Sequence, residues 1–136
     1  SGLSGRDEDL IVFNATSYGS NSAGSWEMYF DGSDVGLANH SSEDIWGVWI
    51  DSVTGEIYLT TQGYFSVAGV TGNGSDIFVC DADSLGSSTS CTFSEFWNGS
   101  THGFGGEIVD GISLGEGGGV TPPTPTATNT PVPPTG

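Results

Sequence analysis

The chain lacks lysine altogether. Arg6 is its one Lys or Arg residue against 17 carboxylates, leaving a formal net charge of −16 at pH 7. Phosphate binding needs Lys and Arg to displace counterions, so nucleic acid is excluded as a partner; an anionic membrane surface is disfavoured on the same ground. Without lysine there is no Schiff-base chemistry and no Lys–Asn isopeptide crosslink. Neither His40 nor His102 stands in a hydrolase motif, and no glycine-rich phosphate loop leads from a strand into a helix. Acid pairs such as Asp81 and Asp83 have the chemistry of a glycosidase, but in so acidic a chain they arise by accident. We therefore expect no enzyme. A membrane-spanning apolar run of ~20 residues is missing, as are a signal-peptide pattern and an initiator Met. No membrane insertion is expected, and the chain reads as a mature or trimmed form.

Helix formers are equally scarce, with one methionine (Met28) and one glutamine (Gln62). Glycine (23 residues), Ser, Thr, Val, Ile and aromatics take their place, the composition of short strands joined by tight turns. The expected fold is all-β: an antiparallel β-sandwich or jelly roll over residues 1–115, followed at 116–136 by a glycine joint and an extended Pro/Thr tail.

An internal pseudo-repeat organises the folded part, with copies at about 5–71 and 72–115. At an offset of 67, Asp9–Leu37 lies on Asp76–Phe104 without a gap. Identical pairs include Asp9/Asp76, Val12/Val79, Gly19/Gly86, Gly32/Gly99 and Gly36/Gly103; Trp26/Phe93 and Phe30/Trp97 keep their character. After a three-residue deletion the match resumes with Glu43/Glu107, Ile45/Val109 and Gly47/Gly111. Each copy opens with a hairpin, Asp9–Asn14 with Gly24–Asp31 and Asp76–Asp81 with Cys91–Asn98. Facing Cys80 with Cys91 makes Phe13 face Gly24, an aromatic laid over a cross-strand glycine. That register puts Ile11, Phe13, Trp26, Met28 and Phe30 on one face. Further strands are expected at Ile45–Ile50, Glu56–Thr60, Tyr64–Val67 and Ile108–Leu114, about eight in all. Copy two lacks the hairpin that ends copy one near Val70. Either the halves close on each other without it, or another chain fills the missing edge, where strand addition occurs.

Cys80 and Cys91, eleven residues apart across a hairpin, are expected to form a disulfide, which places the chain in an oxidising, extracellular or cell-surface setting; two free buried thiols are the alternative. Asn14, Asn39, Asn73 and Asn98 each open an Asn-X-Ser/Thr sequon at a strand end or turn. Thr121, Thr124, Thr126, Thr128, Thr130 and Thr135 offer hydroxyls for O-glycans on a polyproline-II spacer, which could equally be an inert linker. No cofactor is required. Asp7, Asp9, Asp31 and Asp34 gather around one predicted turn as a site for Ca²⁺, which takes six to eight oxygens. An Arg6–Asp31 ion pair with Asx turns explains the same residues. Charge repulsion on folding would be relieved by such cations, by salt, or by spacing along an assembly.

Asp-Glu-Asp-Leu-Ile-Val-Phe13, Phe30-Asp-Gly-Ser-Asp-Val-Gly-Leu37 and Glu43-Asp-Ile45 resemble a repeat found in secreted bacterial proteins, and the Pro/Thr tail is similar to bacterial cell-surface stalks. Together they resemble protomers of glycan-coated extracellular bacterial fibrils, which look like β jelly rolls. The likeness spans residues 7–70 and, more loosely, 74–115; copy two departs from it at Asn98 and His102. It implies a structural, self-associating (homo-polymer) glycoprotein and brings no catalytic residues. The rival is a secreted carbohydrate-binding (lectin-like) module on a stalk, with Trp46, Trp49, Trp97, Tyr58 and Tyr64 as stacking rings.

Overall fold

The computed structural model describes residues 2–115; the expected Pro/Thr tail and its candidate O-glycan threonines lie outside them. Alternating and β-branched stretches fold as β1 (Leu10–Ser17), β2 (Ala23–Phe30), β3 (Ile45–Ile50), β4 (Ile57–Thr61), β5 (Phe65–Val67), β6 (Val70–Gly72), β7 (Ile77–Ser84) and β8 (Ser90–Trp97). One-turn 3-10 helices follow β2 and β8, at Gly32–Val35 and Ser100–His102. The protein is all-β. The central sheet is antiparallel with order β3-β4-β7-β8, while β1–β2 and β5–β6 are separate antiparallel hairpins.

The core is sandwich-like. Ile57 and Leu59 of β4 and Phe78 and Cys80 of β7 pack against Phe65 and Val67 of β5, Phe30 of β2 and Leu37. Phe65 stacks on Phe78 with ring centroids 4.1 Å apart, and Phe93 continues the column at 5.9 Å from Phe78. β4 runs buried on both faces: Ile57 and Leu59 face the core, while on the other side Tyr58 meets Phe96 and Thr60 bonds to Val109.

Both expected hairpins form, each slipped by two residues from the expected register. Phe13 pairs with Trp26 and Ala15 with Gly24; Cys80 pairs with Phe93 and Ala82 with Cys91. The disulfide Cys80–Cys91 therefore runs diagonally across the ladder, with Cα atoms 5.2 Å apart. A two-residue slip preserves the side-chain parity of each face, so Phe13 still lies over Gly24, where an added Cβ would sit 2.8 Å from its ring. The slip also moves Asp31 away from Arg6, and its carboxylate accepts instead from Ser33 N–H and Oγ, at 3.1 and 2.6 Å.

Register breaks fall at Leu10/Ile11 in one hairpin and Ile77/Phe78 in the other. In the first, Leu10 pairs with Phe30 while Ile11 pairs with Met28, so Tyr29 is the extra residue of a bulge. The bulge takes Phe30 off the Ile11–Phe13–Trp26–Met28 face and into the core beside Leu10.

The strand expected at Ile108–Leu114 does not form. The segment starts as β3 does: Val109 N–H donates to Gly74 O (2.8 Å) as Ile45 N–H donates to Asp7 O (3.0 Å). It then passes Thr60, whose Oγ1 donates to Val109 O at 2.6 Å. A strand needs a ladder partner, and β4 is already paired on both edges by β3 and β7.

Candidate functional site

Three of the four candidate metal carboxylates, Asp9, Asp31 and Asp34, accept hydrogen bonds from different donors. Asp9 accepts Arg6 N–H at 2.7 Å and Gly32 N–H at 2.9 Å, tying the start of β1 to the end of β2. Asp34 accepts Thr89 N–H at 2.8 Å, and Asp7 is exposed with its backbone carbonyl bonded to Ile45. Among the described residues no group of three or more His, Cys, Asp or Glu comes together to hold a metal ion.

Asp9 has a counterpart that sequence reasoning saw only as a matched letter. Asp76 accepts Asn73 N–H at 2.8 Å and Gly99 N–H at 2.9 Å, the same two bonds displaced by 67 residues. The correspondence continues: Leu37 N–H to Gly32 O against Phe104 N–H to Gly99 O, and Ser17 Oγ to Asn21 O against Ser84 Oγ to Ser88 O. Gly32 and Gly99 are required where they stand, because a Cβ at either would run into the backbone oxygen of Glu8 or Ser75. Gly36 and Gly103 close the two 3-10 turns at φ of 95° and 86°, where a side chain is strained.

Glu43 was legible only as a recurring acid. It is fully buried, with Oε2 accepting Asn39 and His40 N–H at 2.9 and 2.8 Å and Oε1 accepting Ser66 N–H at 3.0 Å. A carboxylate can be buried when donors surround it, and this one pins the loop before β3 to β5. At its offset-64 partner, Glu107, the shortened loop leaves the side chain exposed.

The stacking rings proposed for a sugar platform are dispersed among different neighbours. Tyr58 is buried, edge-on to Phe96 and paired across the ladder with Trp49. Trp97 stacks on His102, and Tyr64 meets His40 edge-on. Burial, then the hydrogen bond to Glu56 (3.1 Å) and the Glu56 and Asp51 charges, push the Tyr58 phenol above its ordinary pKa.

All four sequon asparagines reach the surface in some degree, but two have committed amides. Asn39 Nδ2 donates to Gly36 O and Asn98 Nδ2 to Glu95, at 2.9 and 3.0 Å. Asn14 and Asn73 are exposed.

The least satisfied surface is the β1–β2 hairpin. Its base is packed into the core through Leu10 and Phe30, but Ile11 is 47% exposed and Trp26 57%. A groove of about 530 Å³ runs over this face, lined by Gly2, Leu3, Gly5, Ile11, Gly24 and Trp26. Phe13 and Trp26 support it from beneath with ring centroids 4.8 Å apart. The contrast with the other hairpin decides its meaning. β7 has β4 bonded along its outer edge, Leu59 pairing with Phe78 and Ile57 with Cys80. Phe65 covers its face. β1 pairs with β2 alone among the described strands.

No family model, curated protein or solved structure matches this chain. Among the described residues no helix is long and apolar enough to cross a membrane, and the cystine fits an oxidising compartment.

Proposed function

We propose that this protein is a structural subunit of an extracellular, glycosylated filament or cell-surface appendage whose protomers join through β-sheet contacts. The observation that carries the reading is the open β1–β2 hairpin: β1 has no ladder partner but β2 among the described strands, and Ile11 and Trp26 are exposed, whereas the corresponding β7 is bonded to β4 along its outer edge and covered by Phe65. Exposed strand edges are templates for pairing with another chain, and soluble monomers blunt them with charge, proline or a covering loop. The outer strand here reads Leu-Ile-Val-Phe-Asn-Ala-Thr-Ser17, without a charge or a proline. Matched registers, bulges and Asp9/Asp76 networks support descent of the two hairpins from one duplicated unit, as expected of a molecule built to repeat. Exposed Asn14 and Asn73 are the favoured glycan sites. Electron microscopy of the purified chain and of native material is the test: long helical particles are expected, and monodisperse monomers by light scattering at all concentrations would remove the reading.

A further inference from the structure

The two halves of the chain meet in a defined way. At and just past the end of β2, Tyr29 O accepts Gly86 N–H at 2.8 Å, Asp31 N–H donates to Thr89 Oγ1 at 2.9 Å, and Asp34 accepts Thr89 N–H at 2.8 Å. The β7–β8 turn is thereby latched onto the first 3-10 turn, and a parallel bridge joins Phe30 to Gly86.

Each group in this latch has a counterpart one repeat away, and Thr101 Oγ1, which bonds Asn98 O at 2.9 Å and meets His102 Nδ1 at 3.1 Å, keeps a lone pair for an incoming N–H. The β1–β2 turn supplies Gly19 and Ser22 where the latch uses Gly86 and Thr89. Ser22 Oγ bonds Gly19 O at 2.9 Å, as Thr89 Oγ1 bonds Gly86 O at 2.8 Å. At the other end of the molecule, Phe96, Asn98 and Thr101 stand where the latch uses Tyr29, Asp31 and Asp34; Phe96 is 48% exposed. One chain cannot bring these two ends together by repeating its own internal step, because the step leads from the first half to the second and then outward.

We propose that a second copy of this chain docks head-to-tail by that same step: the Gly19–Ser22 turn of one copy latches onto Phe96–Thr101 of the other. In this docking the groove over Ile11 and Trp26 is assigned to the segment following Glu116 of that neighbour, as β4 borders and Phe65 covers β7 within the chain. Residues 117–136 carry no ionisable side chain, so this segment can approach an acidic neighbour without charge repulsion. Its prolines suit a groove that presents the exposed Trp26 ring, since proline-rich segments dock on exposed aromatic rings. Such an interface is heterologous, and where its rotation does not close into a ring it generates a filament. The inference rests on the filament reading and specifies its contact.

The test mixes two variants of the full chain, Asn21→Cys and Ser100→Cys, exposed positions beside the latch whose side chains it does not use, and treats them with a short bismaleimide. The native cystine lacks free thiols and does not react. A crosslinked dimer is expected from this pair and at least tenfold less from Asn21→Cys mixed with Ser41→Cys, an exposed loop position. Adding Trp26→Ser to the Asn21→Cys chain should lower the yield at least tenfold; circular dichroism checks that it folds. Filaments by electron microscopy without the crosslinked product of the Asn21→Cys and Ser100→Cys pair overturn this docking and leave the filament reading standing. Monomers without crosslinks overturn both. A crosslink indifferent to Trp26→Ser overturns the role given to the groove.

Discussion

Replacing Glu43 by glutamine changes one atom and should cost this protein much of its stability. The carboxylate accepts three backbone N–H groups in a fully buried position. An amide keeps one acceptor oxygen, but its NH₂ must face a donor. If that oxygen serves Asn39 and His40, Ser66 N–H is orphaned; turned round, two donors are. Each buried donor left unsatisfied costs about 1–3 kcal/mol, and hydrogen bonds to a charged acceptor are the stronger kind. Glu43→Gln should therefore lose roughly 2–3 kcal/mol and Glu43→Ala about 4 or more, set against the ~5–15 kcal/mol of a typical domain. Urea unfolding at neutral pH, followed by tryptophan fluorescence with the disulfide intact, measures both. Glu107→Gln is the matched control: same chemistry, exposed, and expected to stay within about 0.5 kcal/mol of the parent. Equal stability of Glu43→Gln and the parent, or an equal loss at Glu107, would refute the burial argument.

Other outcomes follow from the same geometry. Asp76→Asn should destabilise more than Asp9→Asn, since the two make the same pair of bonds and Asp76 is the more buried; thermal melts of the two variants rank them. The double change Cys80→Ala and Cys91→Ala should cost ~3 kcal/mol or more by releasing an eleven-residue span, read from the denaturation midpoint. Tyr58 has its phenol pKa raised in the fold, so its contribution is fully present below the ordinary value near 10 and is lost as pH rises through the higher folded value. Alkaline melting curves should show that loss, and Tyr58→Phe should flatten it; an unchanged alkaline slope would count against the assignment.

Much of the architecture was legible because its causes are local. Strand-forming composition, glycines at sharp turns and the offset-67 correspondence placed both long hairpins and β3–β5 within a few residues, and the eleven-residue spacing paired the cysteines. The register was missed by two because a disulfide can bridge a diagonal pair as well as a direct one. Parity along a strand could not distinguish these, since both put the sulfurs on the same face. The bulge at Tyr29 was hidden for a similar reason: an extra residue leaves no mark in a run, Met28-Tyr29-Phe30, whose side chains are all large and largely apolar. The expected Ca²⁺ cluster relied on the register that set Asp31 opposite Arg6 with Asp7 and Asp9 nearby, whereas in the slipped hairpin Asp9, Asp31 and Asp34 each accept different donors.

What the sequence by itself determined is the set of elements: an acidic, lysine-free, all-β chain with two hairpins of one design and a cystine across the second. Only the tertiary structure decided what covers them. Phe78 and Ile11 occupy the same position of the same hairpin, yet Phe78 is stacked beneath Phe65 and Ile11 faces a groove. Burial depends on what arrives from distant parts of the chain, and that information is not carried by either hairpin's own residues. β4 and β5 follow the first hairpin and reach the second; among the described residues nothing reaches the first in the same way.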